Sequence, residues 1–150
     1  MLKKDITNLL ILERGLYNNT RKEWKILDNL IKATKKLPYK QLFVRLTDNG
    51  FINKGDLSEY IIAYNYFGLS AYNLDFKEYD LLLNNKRYEF KSVAVNPSTE
   101  LKNDIDILVV LEVNKMGLHY YEIPFNENRS LKGLKITSKL LQNLQQYKRV

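Results

Sequence analysis

Residues 79–95 read YDLLLNNKRYEFKSVAV. Two runs rich in apolar residues flank Asn84-Asn85, a pair that tolerates the positive φ of a type I′ turn. The stretch therefore reads as a β-hairpin with strands over 78–83 and 87–95. Leu81, Leu83, Phe90, Val93 and Val95 supply its apolar side chains. Asp80, Glu89 and Lys91 do not belong with them, because a charge in such a strand is costly unless it has a partner or a task. With a two-residue loop, Leu83 faces Lys86, and three residues further along each strand Asp80 faces Glu89. Cross-strand partners share a face, with Cβ atoms about 5 Å apart. Lys91, two residues beyond Glu89, projects from that same face. Like charges directly opposed are destabilising. Lys91 compensates in part, and a divalent cation compensates better, since Mg²⁺ is commonly held by one or two carboxylates and several waters. The other reading is a surface hairpin with a weak salt bridge worth ~0–1 kcal/mol.

Downstream, IDILVVLEV (105–113) is a near-continuous apolar run, the pattern of a central strand covered on both faces. Asn114 to Gly117 form a turn, and LHYYEIP (118–124) returns as a strand. A helix is expected from Ser138 to Tyr147, with Leu140, Leu141 and Leu144 inward. Upstream, DLSEYIIAYNYFG (56–68) reads as a helix apolar nearly all round, hence buried. Asp56 is its expected N-cap and Gly68 its stop. Before it lie a short apolar face (Ile6, Leu9, Leu10), a helix over 21–36, and a short helix opening at Pro38. Helices, then a block of strands, then a helix make an α+β protein, or α/β with a mixed sheet and flanking helices. The 150 residues read as one domain, with a helical N-terminal extension over 1–50, a core over 55–125 and a C-terminal helix over 126–150.

The formal net charge is +7 and the sequence pI is near 9.4. A basic surplus of this size favours polyanionic partners, nucleic acid first, although a basic protein without such a partner has the same composition. Arg21, Lys25, Lys32 and Lys36 fall within about 60° on one helix face at about 100° per residue. They could follow DNA phosphates or form a solvated face. There is no cysteine, which excludes disulfides and thiolate metal sites and favours an intracellular, cytoplasmic setting. One histidine, His119, is more in keeping with a structural role than with catalysis. The 6 glycines stand singly, so no phosphate-binding loop is present. No run approaches the ~18 apolar residues of a membrane helix, and no secretory signal is expected.

The acid on one strand, the short hairpin and the Glu89-Phe90-Lys91 triplet on the next resemble the PD-(D/E)xK nuclease superfamily. A further acid from the preceding helix matches Glu59. The order helix, hairpin, strand, strand over 56–124 is also similar to that family's restriction-endonuclease-like core, and YEFKSVAVNPS looks most like small type II restriction endonucleases. Tyr79 stands where the pattern has proline. The resemblance implies Mg²⁺-dependent hydrolysis of DNA, with Mn²⁺ able to substitute. It makes Asp80, Glu89 and the Phe90 carbonyl metal ligands, and Lys91 the catalytic base or water-orienting group. Glu59 is then metal-linked or catalytic, or alternatively part of a capping box with Asp56. Cutting both strands would call for a homodimer. Other readings are a Holliday junction resolvase or repair nuclease of the same superfamily, a DNA-binding module without catalysis, and a protein-interaction domain.

Overall fold

The computed structural model describes residues 54–69, 79–94, 96–114 and 116–149. The expected N-terminal helices, with Arg21, Lys25, Lys32 and Lys36, lie outside the described residues, as does Val95. Among the described residues, four strands form one mixed sheet, flanked by short helices. This is an α+β arrangement. Strand β1 (Leu81–Leu83) pairs antiparallel with β2 (Lys86–Val93), β2 pairs parallel with β3 (Ile107–Asn114), and β3 pairs antiparallel with β4 (Gly117–Pro124). The spatial order follows the chain.

The hairpin turns where the sequence says it should. Asn84 and Asn85 have φ of 52° and 61°, and Leu83 pairs with Lys86 and Leu81 with Tyr88. That register puts Tyr88 and Phe90 on one sheet face and Glu89, Lys91 and Val93 on the other, because strand side chains alternate. The first face packs against helix α1 (Lys54–Ile61) and a π-helical turn (Ile62–Tyr66). Leu57, Tyr60, Ile61 and Ile62 bury against Tyr88, Phe90, Val109, Leu111 and Tyr120. Phe67 meets the edge of Tyr88 with centroids 5.2 Å apart. The second face buries Leu108, Val110, Tyr121 and Ile123 under Leu101, Phe125, Ile136 and Leu141. β3 is thus covered on both sides, as its unbroken apolar run predicts. Each large side chain so buried contributes about 1.5–3 kcal/mol. No helix among the described residues is long and apolar enough to cross a membrane.

Two helix expectations need correction. α1 spans Lys54–Ile61 among the described residues, so position 56 lies within the helix and not ahead of it. The helix does stop at Gly68 (φ 67°), where the Leu69 amide reaches back to the Ala63 carbonyl at 3.0 Å. The C-terminal helix is shorter than expected. α2 (Ser138–Gln142), capped by the Thr137 hydroxyl, gives way to a 3₁₀ turn over Gln145–Tyr147. The chain then turns onto the free edge of β4, where Lys148 bridges Tyr121 and the Arg149 amide donates to the Tyr120 carbonyl at 2.7 Å. Covering that edge satisfies backbone groups a longer helix would leave open.

The parallel β2–β3 pair needs a crossover, and residues 94–106 supply it. The Ser98 amide donates to the Ile136 carbonyl and the Leu101 amide to the Leu134 carbonyl, tying the crossover to the segment before α2. At its end, Asp106 Oδ2 accepts from the Arg87 amide at 2.8 Å, and the Asp106 amide donates to the Arg87 carbonyl at 3.0 Å. The Arg87 amide and guanidinium hold the Asp106 carboxyl below the usual range. Asp106 therefore stabilises the fold above the ordinary carboxylate pKa of about 4, and the contribution fades as pH falls through its lowered folded value. Asp106→Ala should cost about 1 kcal/mol at pH 7. The difference from wild type should shrink at pH 3 in urea denaturation.

Candidate functional site

The β1–β2 ladder is regular only as far as Leu81. Leu81 pairs with Tyr88, yet the Asp80 amide also donates to the Tyr88 carbonyl, at 2.8 Å. Two residues of one strand so oppose one of the other, the pattern of a β-bulge, which bends the strand and re-aims a side chain. Asp80 Oδ2 then accepts from the Phe90 amide at 2.7 Å. Asp80 is therefore not a plain ladder residue facing Glu89. Its carboxylate closes the end of the hairpin and is anchored on the backbone of β2. A residue's N–H and C=O in a strand point to the same side, so the Phe90 carbonyl is directed to the edge that Asp80 occupies.

Glu89 and Lys91 share the face that carries their β3 partners Leu108 and Val110. Lys91 Nζ stands 3.6 Å from Glu89 Oε1, with the side chains only 13% and 18% exposed respectively. It also donates to Thr99 Oγ1 at 2.7 Å. Burial first, then the negative charge of Asp80, push the Glu89 carboxyl up to about 7, against the lowering effect of Lys91. The charge of Asp80 still raises the Glu89 carboxyl, but Asp80 is not the ladder partner of Glu89 that the two-residue loop predicts.

A cavity of about 300 Å³ opens beside β2. Glu59 from α1, Glu89 and Lys91 from β2, and the loop Asn96–Thr99 line it, together with Ser58 and Ser92. Asp80 stands beside this cavity and does not line it. Of the four residues expected to be catalytic, the structure brings Glu59, Glu89 and Lys91 to one cavity and couples Asp80 to it through Glu89 and the Phe90 amide. Among the described residues no group of three or more His, Asp or Glu could hold a metal ion. Two carboxylates, Asp80 and Glu89, and a strand-edge carbonyl are the kinds of donor that a Mg²⁺ keeping several of its waters takes. An acid hydrogen-bonded to backbone, as Asp80 is, has the outer-shell support usual for a ligating carboxylate.

Outside the cavity, other polar side chains have structural partners. His119 shares a hydrogen bond with Asn114 Oδ1 at 3.1 Å, and burial lowers its pKa. Asp104 pairs with Lys132 at 2.9 Å, outside the site. Tyr120 and Tyr121 are buried, and the half-buried Tyr66 donates to Glu122. Thr99, Ser58 and Ser92 were not singled out from the sequence. The only signal for Thr99 is the turn-forming run Asn96-Pro97-Ser98-Thr99 directly after the strand. No family model, no curated protein and no solved structure matches the chain.

Proposed function

We propose that the chain is a metal-dependent DNA endonuclease with a restriction-endonuclease-like core, using Mg²⁺ or Mn²⁺ held by Asp80, Glu89 and the Phe90 carbonyl. One observation carries the reading: a half-buried strand sets an acid, raised to about 7 by burial and a second acid, 3.6 Å from an ammonium at an open cavity. Such an arrangement costs stability and is what a preorganised phosphoryl-transfer site needs. The observed order of helix, hairpin, strand and strand, and the net charge of +7, support it.

The bound ion would polarise the scissile phosphate and lower the pKa of its water. Glu89 and Asp80 supply hard oxygen donors there. Lys91 points a fixed positive charge into the cavity, where it orients the attacking water or meets charge developing on the phosphate oxygens. Glu59, on the α1 wall, extends the acidic side of the cavity. At about 30 Å³ per water, the space admits a phosphate group with several waters. One such site cuts one strand, so a double-strand break requires a two-fold dimer.

The test is incubation with supercoiled plasmid, linear duplex and a four-way junction, each with Mg²⁺, with Mn²⁺ and with a chelator. Nicked or linear plasmid that appears only with metal, and not in Asp80→Asn, is the expected result. Preference for the junction would identify a resolvase. Salt-dependent binding with no cleavage of any substrate would leave only a DNA-binding module and overturn the enzyme reading.

A further inference from the structure

We infer that Thr99 is a positioning residue for Lys91. The activity arm of this inference rests on the nuclease reading, whereas its structural arm does not. Lysine is a compact charge on a flexible four-carbon stem, and Glu89 alone would let the ammonium follow one carboxylate. Thr99 provides a second anchor from a different segment, with Nζ donating to Oγ1 at 2.7 Å. A neutral hydroxyl accepts that bond without cancelling the charge. The ammonium is thereby fixed and still positive toward the cavity.

Thr99 is exposed, so packing does not explain its place. Its neighbour does. Ser98 is buried, its amide donates to the Ile136 carbonyl, and its Oγ accepts from the Ile136 amide at 2.9 Å and donates to the Thr99 carbonyl at 2.8 Å. Ile136 lies wholly in the core of the second sheet face. A continuous path of bonds therefore runs from core to loop to Thr99 to the ammonium. Pro97 stiffens the same loop by fixing its φ.

Two variants separate positioning from packing. Thr99→Val keeps the shape and removes the acceptor, and Thr99→Ser restores the hydroxyl. In ¹⁵N-labelled full-length protein, the Lys91 ammonium resonance, assigned by its loss in Lys91→Ala, should be visible in wild type and Thr99→Ser and broadened away in Thr99→Val. With supercoiled plasmid and Mg²⁺, kcat of Thr99→Val should fall about tenfold, the worth of one charge-assisted hydrogen bond, with KM within about twofold. Thr99→Ser should recover most of it. A folded Thr99→Val that keeps the ammonium resonance overturns the inference. If wild type cuts no DNA, the nuclease reading falls and the resonance still decides the role of Thr99.

Discussion

Lys91→Ala is expected to reduce metal-dependent plasmid cleavage by about a thousandfold, equivalent to about 4 kcal/mol of transition-state stabilisation. The size follows from where the ammonium sits. It is 13% exposed, held by Glu89 and Thr99, and faces the cavity. A surface lysine lost from a DNA-binding face would act differently. It would weaken binding modestly and lower the salt slope by about one. The expected pattern for Lys91→Ala is a collapse in kcat with nearly unchanged affinity for duplex at one salt concentration. Loss of binding in step with cleavage would instead assign Lys91 to DNA affinity alone. Initial rates and fluorescence anisotropy on the same duplex distinguish these outcomes.

Glu89→Gln should have two opposite effects. It should abolish cleavage, and it should make the metal-free protein more stable at alkaline pH. The folded Glu89 carboxyl is raised to about 7, above its unfolded value of about 4.3. The folded state therefore binds the extra proton between those values, and wild-type stability falls as pH rises through that window. Above it the buried charge costs on the order of 4 kcal/mol. Gln carries no charge, so Tm of the variant should exceed wild type by about 10 °C at pH 8.5 with chelator, with no difference near pH 4. Mg²⁺ should close the gap by stabilising wild type alone. Calorimetry of both proteins at the two pH values, with and without Mg²⁺, is the check. A variant less stable than wild type at pH 8.5 would mean that Glu89 serves the fold and not a ligand.

The hairpin was legible because its determinants are local. Asn84-Asn85 carries its own turn preference, and a two-residue loop leaves one register, so Glu89 and Lys91 could be placed on one face from spacing alone. The covered strand 107–114 was legible from its apolar run. What stayed hidden depends on contacts distant in sequence or on backbone bonds. The bulge at Asp80 arises where the ladder ends, and no residue type announces it. Thr99 reaches Lys91 only because Ser98 is tied to Ile136, 38 residues away. The early end of α2 reflects the demand of the β4 edge, not the helix propensity of Leu144 or Gln145.

Because metal binding needs no knowledge of a target sequence, calorimetric addition of Mn²⁺ to the metal-free full-length protein is the most direct measurement. Wild type should bind one ion per chain. Asp80→Asn and Glu89→Gln should each weaken binding at least about tenfold, and Lys91→Ala should retain it. Equal binding by wild type and both carboxylate variants, or no binding by any of them even with duplex DNA present, would contradict a metal-dependent nuclease.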